Sequence, residues 1–199
     1  INNWNEDRII RKIEKEQLIN LVEDLKLDSL HFDDILKRIN NINALHKEIH
    51  AVGIKESSET LSENPDMIRW GFGLFPPSKK NANILINELK NKTLRNQIIQ
   101  YLEFSEFTGR TTHEFHSIIK GEIRPFIGQQ RRYNVSVMLD SQSKVISSED
   151  LIALSKIEDF QQMFFEANIK LNGSKRYLSR LISENNLLIE EIKSELTKY

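Results

Sequence analysis

Residues 160–199 read FQQMFFEANIKLNGSKRYLSRLISENNLLIEEIKSELTKY and carry the clearest pattern in the chain. Apolar side chains recur at spacings that alternate between four and three, which is typical of a helix that packs along another helix. The Asn172-Gly173 pair usually indicates a turn. Since the pattern keeps its phase across this pair, we predict one continuous helix that the glycine weakens by about 1 kcal/mol. The predicted seam consists of Phe160, Phe164, Ala167, Leu171, Ser174, Leu178, Leu181, Asn185, Leu188, Ile192, Glu195 and Tyr199.

A seam of this length needs a partner, and the beginning of the chain has a matching pattern. We predict a first helix that begins near Asn5, whose side chain suits an N-cap, and ends at about Gly53. Its length would be about 70 Å at roughly 1.5 Å per residue. Charged side chains occupy one side of this helix. The other side is apolar and consists of Leu18, Val22, Leu25, Phe32, Ile35, Ile39, Ile42, Ile49 and Val52.

Shorter helices are predicted between these two. The longest of them should end before Pro125, because a proline disfavours helical geometry in the residue that precedes it. The predicted helices run from Ser78 to about Lys90, from about Thr93 to Arg124 and from Ser148 through Leu154, with irregular connections at 54–77 and 125–147.

These elements predict an all-α fold, an elongated four-helix-bundle-like single domain over residues 1–199. The long first and last helices should lie antiparallel, with the middle helices covering their shared seam. We also expect Asn185 and Ser174 on the seam, with Thr111 and Thr112 in the third helix, to form polar layers that fix the register of the helices.

The composition narrows the possible functions. The chain has 28 basic and 29 acidic side chains, and its net charge of -1 argues against nucleic acid as a partner. The absence of cysteine excludes disulfides, thiolate nucleophiles and zinc-thiolate sites, and it is compatible with an oxidising periplasm. No stretch reaches the roughly 20 apolar residues that a transmembrane helix needs. We therefore expect any membrane anchor to lie upstream of Ile1.

The first eight residues, Ile1-Asn2-Asn3-Trp4-Asn5-Glu6-Asp7-Arg8, suggest such an anchor. A tryptophan beside apolar and amide side chains suits the headgroup layer of a membrane. There its ring can lie in the apolar zone while its N–H stays hydrated. The alternative is a frayed terminus without function. The block Ile1-Asn2-Asn3-Trp4-Asn5-Glu6 resembles the sequence that follows the transmembrane helix in a family of uncharacterised, membrane-anchored proteins of Gram-negative bacteria.

Further blocks, Asn91-Lys92-Thr93-Leu94-Arg95 and Glu122-Ile123-Arg124-Pro125, resemble the same family. The resemblance implies a short cytoplasmic segment, one span of the inner membrane and then this domain on the periplasmic side, with residues 1–8 as the membrane-proximal stub. The first helix could continue directly out of the membrane. The resemblance implies no catalytic residues.

Histidines are the strongest candidates for a metal site. His46 and His50 are four residues apart on the first helix, and His113 and His116 are three apart on the third, so each pair shares a helix face. If these faces met, four imidazoles could hold a transition metal. The more ordinary interpretation is that they are solvated or half-buried polar side chains, because neither a His-Glu-x-x-His nor a Glu-x-x-His motif is present.

An aromatic segment at residues 67–75 is the main candidate for a ligand or partner surface. Exposing three aromatic side chains to water costs free energy, and the segment contains Trp70, Phe72 and Phe75. They either cap the core, which is the stronger hypothesis, or line a binding surface. Gly71-Phe72-Gly73 lacks the third glycine and the following helix of a dinucleotide site. The pair of arginines before Tyr133 could bind an anion, although two arginines in a loop are common.

Together these patterns favour a non-enzymatic, membrane-anchored, extracytoplasmic module for protein interaction or sensing. No catalytic motif is recognisable and no cofactor is expected. The expected partners are the membrane, through a helix upstream of Ile1, and either a protein partner or a second copy of the chain. The alternative function is a metal-binding protein or metal-dependent enzyme that uses the four histidines.

Overall fold

The computed structural model describes residues 2–53, 60–134 and 144–199, with side chains from Arg8 onward. Within these residues the secondary structure is entirely helical, which confirms the predicted fold class. Parts of the predicted connections, 54–59 and 135–143, lie outside the described residues. The elements are α1 (Asn2–Gly53), a 3-10 helix (Pro65–Arg69), α2 (Lys79–Glu88), α3 (Lys92–Ile118), a π-helical segment (Ile119–Ile123), α4 (Arg124–Gln129), α5 (Ser148–Ser155) and α6 (Glu158–Leu196).

The long first and last helices pack against each other and run antiparallel, as predicted. Near one end, the Asn185 side chain of α6 donates a hydrogen bond to the Leu25 carbonyl of α1 at 2.8 Å. Further along α1, His46 is bonded to Asn168 of α6 at 2.9 Å. Residue numbers therefore rise along α1 as they fall along α6.

The seam of α6 is confirmed in detail. Its first ten predicted positions, from Phe160 to Ile192, are all buried. Glu195 is half-buried near the end of α6, and Tyr199 is exposed and lies beyond Leu196, where the helix ends. The helix continues through Asn172-Gly173 without a break, so the phase of the heptads predicted its course correctly.

The described residues form two compact units, and α1, α3 and α6 each contribute to both. The first unit comprises 1–34, 74–109 and 177–199, and its core includes Leu21, Leu25 and Phe32. The second comprises 35–73 and 110–176, and its core includes Phe115 and Phe160. The single-domain organisation stays a prediction.

The end of the third helix differs from the prediction. The helix does not stop before Pro125. It widens into the π-helical segment, in which the Arg124 N–H reaches back to the Ile119 carbonyl, and then continues as α4. Pro125 lies in the first turn of α4, directly after the π-helical segment, and has no N–H to donate to the preceding turn. Residues 125–129 are therefore helical, and the expected irregular connection is shorter.

The predicted connection at 54–77 also contains regular structure. Its described part includes the 3-10 helix Pro65–Arg69, which begins at a cap in which the Asn64 side chain accepts the Asp66 N–H. The Asp66 carboxylate in turn accepts the backbone N–H groups of Val145 and Ile146 at 3.1 and 3.0 Å. These bonds hold the 3-10 helix in the second unit, next to the aromatic segment.

Candidate functional site

His46 is a core residue. Its imidazole is 1% exposed and lies 4.5 Å from the Phe164 ring, centroid to centroid. Nδ1 donates to the Asn168 side-chain oxygen at 2.9 Å, and Nε2 has no partner among the described residues. Burial lowers the pKa of His46 to about 4, so the ring is neutral at physiological pH. Its position between Ile42 and Ile49 was a signal in the sequence that this histidine faces the core.

The four candidate histidines do not form a metal site. His46 is buried, whereas its helical neighbour His50 is exposed. The rings of His113 and His116 stack with their centroids 6.3 Å apart. Among the described residues, no group of three histidine, aspartate or glutamate side chains is arranged to hold a metal ion. The geometry therefore gives no support to the metal-binding alternative.

The aromatic segment divides into a buried part and an exposed part. Phe72 is buried and stacks on Phe115 at 5.2 Å, which caps the core of the second unit as the stronger hypothesis predicted. Trp70, in the same unit, is 41% exposed. Phe75 belongs to the first unit and is 80% exposed. Trp70 is therefore the exposed aromatic side chain that the segment contributes to the second unit.

The backbone on either side of Trp70 is fixed against the C-terminal part of α3 and the π-helical segment. The Arg124 guanidinium donates two hydrogen bonds to the Arg69 carbonyl, one of them from Nε at 2.9 Å. On the other side, Gly71 approaches the His116 ring so closely that an added Cβ would lie 2.1 Å from Nδ1. Glycine is required here because of this close approach.

Arg131, Arg132 and Tyr133 are mainly structural. Arg131 has a φ of 53° and ends α4, with the Arg132 N–H reaching the Ile127 carbonyl in a C-terminal cap. The Arg132 side chain pairs with Asp150 at 2.9 Å. The Tyr133 hydroxyl donates to the Arg124 carbonyl. The Arg132 guanidinium is therefore already paired with a carboxylate.

A buried carboxylate in the first unit is absent from the candidates that the sequence suggested. Asp28 is fully buried and accepts hydrogen bonds from the Ser78 N–H at 3.1 Å, the Ser78 hydroxyl at 2.5 Å and the Tyr101 hydroxyl at 2.7 Å. Burial raises the pKa of Asp28, and these hydrogen bonds oppose that rise. Its spacing from Leu25 and Phe32 places Asp28 on the apolar face, which was the available signal.

This arrangement explains how α2 begins. Ser78 precedes the helix as predicted, but its side chain makes no capping bond, because its hydroxyl donates to Asp28. The Asp28 carboxylate thus joins α1 to the start of α2 and to Tyr101 of α3. Since all its donors come from the protein, Asp28 is a structural group.

Each unit also has a cavity. The one in the second unit, of about 410 Å³, is lined by Phe160, Phe164, Gln161 and Asn168 among others. Gln161 donates to the Ser155 carbonyl and Asn168 accepts from His46, so two of its polar side chains are already engaged. A second cavity of about 560 Å³ lies in the first unit, beside Phe104 and Arg180, whose guanidinium covers the Phe104 ring at 4.5 Å.

The start of α1 exposes several apolar side chains of the first unit. The side chain of Trp4 lies outside the described residues, although its backbone belongs to α1. Every side chain from Arg8 to Ile13 is exposed, and Glu14 is the first buried one. The helices of the described residues include none that is both long and apolar enough to cross a bilayer.

Comparisons of the chain with protein families, curated proteins and solved structures found no match.

Proposed function

We propose that the chain is a membrane-attached, non-enzymatic helical module for protein interaction or sensing. The resemblance described above supports a position in the inner membrane, with this domain on the periplasmic side and an anchoring helix upstream of Ile1. The lack of a recognisable catalytic motif in the sequence supports a binding role. A protein partner or a second copy of the chain would receive the signal.

The observation that carries the proposal is the amphipathic start of α1. Ile9, Ile10 and Ile13 are between 44% and 59% exposed, although isoleucine is among the residues most often buried in proteins. At 3.6 residues per turn, these three side chains lie within an arc of about 100°. They form an isoleucine patch (Ile9, Ile10 and Ile13).

Basic side chains cover the opposite side of the same helix. Arg8, Arg11, Lys12 and Lys15 also lie within an arc of about 100°, facing away from the isoleucine patch. Lys12 forms a long, exposed ion pair with Glu16 at 4.0 Å, and exposed pairs of this kind are weak. Helices with one apolar and one basic face bind at the surface of anionic bilayers. Long basic side chains reach the headgroups while the apolar face enters the lipid.

Co-sedimentation with lipid vesicles tests the membrane attachment. We expect the chain to bind phosphatidylcholine vesicles that contain phosphatidylglycerol, and to bind less as salt is added, because salt screens exposed charges. Replacing all three residues of the isoleucine patch by serine should abolish this binding, since no apolar face remains to enter the lipid.

The matched control replaces three other exposed apolar residues of α1 by serine, namely Ile19, Leu27 and Leu30. This variant removes a similar apolar area from the same helix and should still bind. The proposal is wrong if the unmodified chain stays in solution with these vesicles, or if the two triple variants lose binding equally.

A further inference from the structure

The second unit contains a line of basic side chains on one helix face. His113, His116, Lys120 and Arg124 follow one another at spacings of three, four and four along α3, the π-helical segment and the start of α4. We call these four residues the basic face. In a regular α-helix, four residues overshoot one turn by about 40°. The wider π turn takes up this excess, so His116, Lys120 and Arg124 stay aligned.

The backbone around Trp70 lies along this line. Arg69 is held at one end of it by the Arg124 guanidinium, and Gly71 is pressed against the His116 ring nearer the other end. Trp70 is therefore fixed between two anchored neighbours, and its indole is partly exposed. An exposed indole in a segment that is anchored along a basic helix face provides a surface on which a ligand can stack.

The charged side chains that shift the pKa of His116 are basic. Burial lowers the pKa of His116, and the positive charges of Arg124, His113 and Lys120 lower it further. On the facing 3-10 helix, the Asp66 carboxylate is occupied by two backbone N–H groups, and the Arg69 guanidinium lies over the Tyr133 ring at 5.0 Å.

The acidic neighbour on α3 is also occupied. Glu114 pairs with Lys170 at 2.7 Å, on the side of α3 that faces α6. The groups whose charges act on His116 in the described part of the chain are thus all basic. Lys120 and Arg124 carry positive charge here, and an anion bound beside them would offset that charge and favour protonation of His116.

We propose that the basic face and Trp70 form a binding site for a phosphate-bearing ligand. Lys120 would supply a mobile ammonium group, His116 an imidazole N–H and Arg124 the rest of its guanidinium, while the indole of Trp70 packs against the remainder of the ligand. The site lies in the second unit and does not depend on the membrane attachment proposed above.

Tryptophan fluorescence with inorganic pyrophosphate as the probe tests this site. In a Trp4→Phe background, Trp70 is the sole tryptophan, and we expect its emission to change saturably with pyrophosphate. Lys120→Gln and His116→Gln should each weaken binding by about tenfold, because each removes one charged hydrogen bond. Lys175→Gln makes the same charge change at an exposed position of α6 in the same unit and should bind normally.

Calorimetry and NMR give readouts that do not depend on Trp70. Pyrophosphate binding should release or absorb heat with the same midpoint, and it should raise the pKa of His116, since a nearby anion stabilises the imidazolium. The proposal is overturned if neither fluorescence nor heat saturates, if Lys175→Gln weakens binding as much as Lys120→Gln, or if the pKa of His116 does not move.

Phosphate groups also occur on lipids, and a vesicle experiment distinguishes the two sources. The variant with serine in the isoleucine patch is mixed with vesicles that contain phosphatidic acid, which exposes a phosphate monoester. Binding that Lys120→Gln abolishes would assign the site to a lipid headgroup. Binding of pyrophosphate without binding of these vesicles would assign it to a soluble phosphate compound.

Discussion

At the scale of single residues, the burial of the neutral His46 imidazole makes the stability of the fold depend on pH. His46 is enclosed by Phe164 and Asn168, and its folded-state pKa of about 4 lies below its ordinary value of 6.5. Between pH 6.5 and 4, His46 therefore binds a proton in the unfolded chain but stays neutral in the folded chain. His46 lowers the stability of the fold as the pH falls from 6.5 to 4, and the loss levels off below 4.

We predict that His46→Gln flattens the pH dependence of stability in this range. The native chain should lose about 3 kcal/mol through His46 between pH 6.5 and 4, and the variant should not. The free energy of unfolding in urea, measured at several pH values, gives the comparison. Burial raises the pKa of Asp28, which acts in the opposite direction, but this contribution is common to both proteins and cancels.

His50→Gln is the control, since it changes an exposed histidine one turn further along α1. Its pH profile should match that of the native chain. A profile of His46→Gln that keeps the native slope would show that the imidazole is protonated inside the fold.

At the scale of helices, Asn185 illustrates a polar group within an apolar seam. Its side-chain N–H₂ donates to the Leu25 carbonyl at 2.8 Å and to the Ser29 hydroxyl at 2.7 Å, while its oxygen has no partner among the described residues. Ser174 makes a similar but longer contact, 3.4 Å, with the Thr111 carbonyl. Asn185 thus joins α6 to one level of α1, which is how a buried polar residue selects a register.

We predict that Asn185→Leu raises the stability by roughly 1 kcal/mol and loosens the pairing of α6 with α1. The substitution removes an unpaired buried oxygen, and the Ser29 hydroxyl keeps its bond to Leu25. Thermal unfolding followed by circular dichroism measures the change. Asn186→Leu, at the exposed neighbouring position, should have little effect. A lower melting temperature for Asn185→Leu would contradict the prediction.

Helices with a regular apolar pattern could be predicted from the sequence, but local departures from regular helix geometry could not. The course of α6 followed from the regular seam, even across Gly173. The continuation of α3 through Pro125 did not, because a proline that follows a widened turn and a proline that ends a helix have the same sequence signature. The burial of His46 and Asp28 was not predicted, although both lie at helical spacing from apolar residues, and His46 was expected to be solvated or half-buried. The meeting of Gly71 with His116 depends on tertiary structure, which spacing does not encode.

At the scale of the whole molecule, the two compact units share three helices. Because α1, α3 and α6 each run through both units, loss of helix in one removes packing from the other end of the same helices. We expect the chain to unfold in one cooperative transition, as single domains usually do.

We predict that a core substitution in the first unit also destabilises the second. Leu181→Ala should cost about 2 to 5 kcal/mol. In the Trp4→Phe background, it should lower the midpoint seen by Trp70 fluorescence as much as the midpoint seen by circular dichroism. Leu187→Ala, on the exposed side of the same helix, serves as the control. A fluorescence midpoint that does not move while the circular dichroism midpoint falls would show two independent units.

The π-helical segment has a consequence for insertions and deletions. Within a regular helix such as α3, removing one residue would rotate every later side chain by about 100° and misalign the helix faces beyond it. The wide turn at Ile119–Ile123 already holds one residue more than a regular turn of the same height. A single-residue deletion there could be absorbed by tightening the turn, so this stretch is where the chain tolerates a change of length without losing the orientation of α4.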